Sequence, residues 1–275
     1  IYIKKLMLKI SKKIQFSSSE NKMNSIADTK KARDLYYSTK YQNVKFLLEK
    51  RFSWMNRFIN KNDKGIEVGS GAGFAKDFIS NENFKLTDLG EDDHLDLKNI
   101  DAQNTGFENE SFDYVIASNM IHHIPYPIKF FREMNKILKK NGKLIIFDAH
   151  CSLLLQIVLI LMRHEGFDFT KNVWDLEKAS TKDDDLWQGN SAIPYLIFHN
   201  KKLFENNLGD KFEIKYMKTC ECLLFLNSGG VTSKTFYVPL NFFFLKIIKY
   251  IDKFLTKYFP KFFALGYKIV LEKKD

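Results

Sequence analysis

Gly65-Ile66-Glu67-Val68-Gly69-Ser70-Gly71-Ala72-Gly73 is the stretch on which the fold of this chain turns. A short run of strand formers enters a loop with glycine at every second position, and a helix is expected to follow through about Ile79. Glycines let a backbone turn sharply and approach a ligand without a Cβ in the way. The start of a helix adds unpaired N–H groups that favour a carboxylate or phosphate. Alone, such a loop is a weak motif, and a structural turn is its alternative reading. Its surroundings sharpen it. Glu67 stands two residues before Gly69, and Asp88 follows Glu67 by 21 residues at the end of a second strand pattern, Phe84 to Asp88. An acid at that place can accept both hydroxyls of a ribose, as in dinucleotide folds. Phe74, however, occupies the position where the dinucleotide fingerprint requires glycine or alanine, which disfavours a nicotinamide-dependent oxidoreductase.

Further along, Asp96 to Asp101 has room for a short third strand, and Phe112 to Ser118 is a strong apolar one. Tyr126 to Lys140 is amphipathic with a helical period and stops at Asn141-Gly142, and Lys143 to Asp148 is another apolar strand. Strands alternating with helices at this spacing predict a doubly wound α/β, Rossmann-like sheet, mostly parallel, with helices on both faces. Upstream, Ala32 to Ile59 has a helical pattern with Phe46, Leu47, Trp54 and Phe58 as core candidates, preceded by a Ser-, Asn- and Lys-rich lead-in. Downstream of His150 the rhythm changes. An apolar helix-like run (Leu153 to Met162), an acidic Asp183-Asp184-Asp185 turn and Ile193 to Ile197 suggest an insertion on the substrate side of the sheet. Phe212 to Tyr216 and Gly266 to Leu271 supply further strands, the last antiparallel. Three regions follow: a helical lead-in over 1–59, a cofactor-binding core over 60–150, and an acceptor-site insertion with the completion of the sheet over 151–275.

The balance of 43 basic against 33 acidic residues gives +10, but its placement is uneven. Residues 1–31 carry +6, residues 239–275 carry +5, and the middle sums to −1. A nucleic-acid enzyme gathers basic charge around its site, so a neutral centre argues against nucleic acid as a partner. Basic ends leave two readings open: peripheral contact with an anionic membrane surface, or solvated helix faces. From Phe242 to Tyr258, Lys246, Lys249, Lys253 and Lys257 fall on one face of a helix with Phe, Ile and Leu opposite. That pattern suits an interfacial helix, or equally a helix with its apolar side on the core. The opening residues lack the apolar centre and cleavage site of a signal peptide, and no run approaches the ~20 residues of a membrane span. Three cysteines cannot close a set of disulfides, and the Cys220/Cys222 pair has no second pair to complete a zinc site. A cytoplasmic location, with peripheral membrane contact left open, is the expectation.

Taken as a set, Glu67 to Gly73, Asp88, Asp101-Ala102, Phe112 to Ile116, Asn119-Met120-Ile121-His122-His123-Ile124 and Phe131 to Ile146 resemble class I S-adenosylmethionine-dependent methyltransferases, in the broad type 11 group. The resemblance covers roughly residues 60–150. It implies S-adenosyl-L-methionine as cofactor, with Glu67, Gly69, Ser70, Gly71 and Gly73 around the methionine moiety and Asp88 on the ribose. It also implies Asp101 and Ala102 at the adenine and Asn119 beneath the cofactor. Only 13 positions separate Asp88 from Asp101, too few for a crossover helix and a strand, so Asp92 or Asp93 is a second candidate for the ribose. Methyl transfer needs mainly alignment of acceptor and donor, with a base where the acceptor is a hydroxyl. His122, His123, His150 and His164 are the candidates for that base, with His123, His150 and His164 put forward as catalytic and one of the pair His122/His123 expected to pack structurally, and no metal site is expected. The acceptor expected first is a small molecule or a glycan hydroxyl. A quinone or lipid, and a catalytically silent cofactor-binding module that docks a partner or membrane, are the alternatives.

Overall fold

A computed structural model describes residues 29–38, 42–162, 165–182, 188–231 and 235–274. The opening segment, the acidic turn at 183–185 and His164 lie outside the described residues. Six strands form one sheet: β1 (Gly65–Val68), β2 (Phe84–Thr87), β3 (Phe112–Ser118), β4 (Leu138–Ala149), β5 (Phe212–Cys220) and β6 (Gly266–Lys273). Their spatial order is β2-β1-β3-β4-β6-β5. The first four run parallel, and β6 inserts antiparallel to both β4 and β5. This is the doubly wound sheet with an antiparallel last strand that the sequence pattern predicts.

Strand parity explains why helices cover both faces. Val115, Ala117, Leu144 and Ile146 join a core with Phe130, Phe131 and Met134 of helix α3 (Pro127–Ile137), and further residues come from α5 (Ile193–Phe198) and α6 (Lys201–Leu208). The alternate residues Tyr114, Ile116, Ile145 and Phe147 face α1 (Thr29–Tyr37) and α2 (Gln42–Phe52). Each fully buried side chain of this size contributes about 2 kcal/mol of transfer free energy, so neither face stands without its helices. Helix α4 (Leu153–Met162) follows β4, and α7 (Phe242–Tyr258) precedes β6.

Three local expectations are corrected. The glycine loop leads not into an α-helix but into a single 3₁₀ turn, Phe74–Asp77. Gly73 is left-handed (φ +69°), and the ten residues before Phe84 must both leave and regain the sheet. The third strand over 96–101 is reduced to two isolated bridges, Thr87 with Leu97 and Asp101 with Asn104, because the short span after Asp88 is used by a turn. The amphipathic helix ends at Ile137 rather than Lys140, and Leu138 already pairs with Phe112.

Candidate functional site

The chain passes from β1 to β2 on one side and then returns to β3 on the other. The crevice beyond the carboxyl ends of β1 and β3 is therefore a topological switch point, where open α/β sheets bind ligands. A cavity of about 580 Å³ opens there, within the range of small-molecule pockets. Every sequence-derived cofactor residue except Gly73 lines it: Glu67, Gly69, Ser70, Gly71, Asp88, Asp101, Ala102 and Asn119.

The loop is held from several sides. Asp88 accepts the Gly71 N–H through Oδ2 (2.7 Å) and the Gly90 N–H through Oδ1 (3.0 Å), which leaves carboxylate lone pairs for a ligand. Ser70 Oγ donates to the Thr87 carbonyl (3.0 Å) and accepts from the Thr87 N–H (3.0 Å), tying the loop to the end of β2. His94, which carries no sequence signal, sets Nε2 2.7 Å from the Gly71 carbonyl. Arg33 of α1 donates to the Ala72 carbonyl (2.6 Å). At Gly73 an added Cβ would meet His94 Cδ2 at 2.7 Å, so that glycine is required by packing; at Gly71 it would meet nothing within 4 Å. Of the alternative ribose acids, Asp92 lines the cavity, bound by Thr29 Oγ1 (3.0 Å), whereas Asp93 is exposed and paired with Lys98.

Glu67 is buried at the end of β1, and its Oε2 has no hydrogen-bond partner. Burial, together with the nearby Asp88 charge, holds its carboxyl well above the usual range against the opposing effect of Ser70. Its site therefore favours the protonated, uncharged form. Ser118 Oγ, on a second lining residue, is likewise buried without a partner. Polar atoms left unsatisfied at a cavity wall fit a ligand that brings its own donors and acceptors. Glu67→Gln, which keeps the shape and the uncharged form that burial favours, is expected to cost under about 1 kcal/mol in a denaturant melt, whereas a charged side chain at this site would cost far more. A loss of several kcal/mol would show that Glu67 is ionised in the free protein.

The histidines divide sharply. His122, at the turn after β3, has Nδ1 2.5 Å from Asp148 Oδ1 and Nε2 3.2 Å from Glu165 Oε2. Asp148 is fully buried at the end of β4 and also accepts the N–H groups of Ile121 (2.8 Å) and Ala149 (2.7 Å). Burial alone would push His122 down, but the Asp148 and Glu165 charges and hydrogen bonds outweigh it and hold the imidazole well above its ordinary pKa. His123 lines the cavity with Nε2 3.7 Å from Glu165 Oε1. Asn190 donates its N–H to the His122 carbonyl (2.8 Å), and Ser191 Oγ donates to Glu165 Oε2 (3.1 Å). Gly189 lies so close that a Cβ there would meet His122 Cδ2 at 2.8 Å. His122, His123 and Glu165 bring ligand-type atoms within 4.8 Å of one another; both His122 nitrogens are already engaged by carboxylates.

His150 is not part of this group. It is buried outside the cavity lining, with Nδ1 at the Ala264 carbonyl (3.3 Å) and its ring edge-on to Tyr195 and Tyr267. Burial pushes its pKa down to about 4. Asp148 and Glu165 are the members of the cluster that the sequence did not single out as site residues. The only signal for Asp148 is an acid that closes the apolar run Leu144 to Phe147.

The cavity's remaining wall comes from the C-terminal half. Leu155 and Leu159 of α4, Phe225 and Leu265 line it, with Arg51 and Glu221 at the same wall. Those two form a buried bidentate pair, both contacts 2.8 Å, and the guanidinium lies over the Phe147 and Phe225 rings.

Residues 66–146 match the model of the methyltransferase domain family. The chain is similar to phosphatidylethanolamine N-methyltransferase of Cereibacter sphaeroides, 26% identical over 79 residues, which are 29% of this chain and 39% of that protein. It is also similar to demethylmenaquinone methyltransferase of Staphylococcus haemolyticus, 24% identical over 136 residues, 47% of this chain and 56% of that one. The matched portion is thus well under two thirds of either relative. A solved SAM-dependent methyltransferase from Methanosarcina mazei superposes with a TM-score of 0.47 at 15% identity, covering 81% of this chain and 98% of that one.

Proposed function

From a chain whose residues 66–146 belong to the methyltransferase domain family, we propose a transferase that moves a methyl group from S-adenosylmethionine to an acceptor with a largely apolar body, a lipid or a quinone. The observation that carries this reading is one cavity lined both by the glycine loop with its acids and by the apolar side chains Leu155, Leu159, Phe225 and Leu265. A glycan would leave its hydroxyls facing that apolar wall, which costs free energy without hydrogen bonds. The named substrates of the two curated relatives, a phospholipid amine and a demethylmenaquinone, support the same choice.

When bound, the cofactor supplies a methyl group on a sulfonium sulfur. Gly69, Gly71 and Glu67 hold its amino-acid end in this reading, Asp88 its ribose, and Asp101 with Ala102 its base. Asn119, left-handed at φ +53°, closes the floor after β3. His123 and Glu165, which line the same cavity, act on the acceptor in this reading, and His122, clamped by Asp148, positions Glu165. His150 takes no part.

Calorimetric titration with S-adenosylmethionine, followed by transfer assays, tests the proposal. Micromolar binding is expected, weakened roughly tenfold or more in Asp88→Ala, the loss of a charged hydrogen-bond acceptor. Methyl incorporation into phospholipid or quinone acceptors should fall sharply in His123→Ala while cofactor affinity holds. A folded chain that binds no cofactor refutes the reading; cofactor binding with transfer only to sugars refutes the acceptor class.

A further inference from the structure

Helix α7 is turned inside out relative to an ordinary surface helix. Its buried residues are Leu245, Asp252 and Thr256, with Ile248 and Leu255 half-buried. The sole acid, Asp252, points inward, where it accepts the N–H groups of Cys222, Leu223 and Leu224 at 2.8–3.1 Å. Large apolar side chains face solvent instead: Phe243 is 66% exposed, Tyr250 67% and Phe254 54%, with Phe244, Ile247, Ile251 and Tyr258 beside them. At about 100° per residue these occupy one continuous sector of roughly 120°. The exposed Lys246, Lys249, Lys253 and Lys257 form a stripe along the edge of that sector, between it and the buried side. The aromatic surface continues beyond the helix, with Phe254 in ring contact with Phe259 (6.3 Å) and Phe259 with Phe263 (6.4 Å).

An exposed apolar patch of this extent marks a contact surface, and the charge beside it selects the partner. The outward side of α7 carries four lysines and no acid. Two copies meeting across a two-fold axis would bring one lysine stripe close to the other. An anionic bilayer offers what both sectors need: acyl chains for the aromatic sector and phosphates for the lysines. Lys249 and Lys257 already lie against the Tyr250 and Tyr258 rings (6.0 and 5.0 Å), which suits amphipathic tyrosines at headgroup depth. No helix of the described residues is long and apolar enough to cross a membrane, so the mode is one of lying on the surface.

We infer that α7 docks the protein on the surface of an anionic phospholipid bilayer, with Phe243, Tyr250 and Phe254 inserted and the lysine stripe on the headgroups. The inference stands on the surface alone and is independent of the acceptor class. The test is co-sedimentation of the full chain with vesicles of phosphatidylcholine, with and without about one third phosphatidylglycerol. Partitioning onto the anionic vesicles is expected to exceed that onto phosphatidylcholine by more than about tenfold, and to fall by a similar factor in Lys246→Glu/Lys253→Glu. Phe243→Ser/Phe254→Ser should weaken it comparably, and Phe254→Trp should shift its emission to the blue on binding and be quenched by lipids brominated in the acyl chain. Cofactor titration of each variant shows that it remains folded and keeps the cavity apart from the docking surface. Equal sedimentation of wild type and both double variants overturns the inference. So does a light-scattering mass of two chains that Phe243→Ser/Phe254→Ser reduces to one while wild type ignores vesicles, since α7 is then covered by a second copy.

Discussion

Gly71→Asp is expected to abolish cofactor binding while leaving the fold standing. The two parts of that statement have separate causes. Gly71 is left-handed at φ +50°, a conformation that Asp and Asn tolerate better than other residues; the backbone strain is about 1 kcal/mol, a melting shift of a few degrees for a domain of this size. The new Cβ would meet no atom of the protein within 4 Å, so it projects into the space that the ligand would use. Its carboxylate would also stand beside Asp88, whose Oδ2 is 2.7 Å from the Gly71 nitrogen. Occupied space and doubled negative charge together should cost at least about 3 kcal/mol of binding, more than a hundredfold in affinity. Gly73→Ala is the contrasting variant, because its Cβ meets His94 and Leu86 within 2.8 Å; it should lose stability first and affinity only as a consequence. Calorimetry and melting curves on the pair separate the two. A Gly71→Asp chain that binds S-adenosylmethionine like wild type would move the cofactor out of this crevice.

Why those glycines were legible, and other parts of the site were not, follows from the range of each interaction. The glycine loop, the acids Asp88 and Asp101 and the strand alternation are local patterns, fixed by backbone sterics and by sidedness within a few residues. The missing strand after Asp88 is a matter of chain length, which shows in the sequence as a shortage of residues but not in how the chain resolves it. His122 and Asp148 are 26 positions apart. They meet because β3 and β4 lie in parallel register, Ser118 opposite Phe147, so that the turn after one strand reaches the end of the other. Glu165 comes from beyond α4, 43 positions after His122, a separation that no local pattern spans. Helix α7 shows the limit most plainly. Its periodicity separates lysines from apolar residues, but only the tertiary structure tells that the sector around Leu245, Asp252 and Thr256 is the inward one.

The same distinction applies to charge. Arg51 and Glu221 are 170 residues apart and form a buried pair at the cavity wall. Asp252, raised to about 6 chiefly by burial, caps the turn at 222–224 from the inner side of α7. The first joins the C-terminal half to α2, which precedes β1, and the second ties α7 to residues 222–224, so the apolar wall of the cavity is held by polar contacts invisible to composition. Asp252 thereby links α7 to the short segment that carries Phe225 of the cavity wall.

Removing Asp148 should have the largest effect on stability of any single substitution at the site. Its carboxylate serves His122 and the N–H groups of Ile121 and Ala149 from a fully buried position. Asp148→Ala strands two buried donors and leaves the His122 imidazolium with Glu165 as its remaining carboxylate, a loss of about 3–5 kcal/mol. Asp148→Asn keeps the shape and part of the hydrogen bonding, and its pH dependence is the sharper test. In the wild type the folded-state pKa of His122 is raised above its ordinary value of 6.5. Its contribution to stability is therefore fully present below 6.5 and is lost only as pH rises through the higher folded value. Without the Asp148 charge, only Glu165 opposes burial, so the folded-state pKa of His122 falls. The stabilisation that His122 contributes at low pH is therefore smaller in the variant. The deficit of Asp148→Asn relative to wild type should be greater at about pH 5.5 than at about pH 9 when measured by denaturant unfolding. A deficit that stays flat over that range would mean that His122 is a neutral donor, and that Asp148 acts through hydrogen bonds alone.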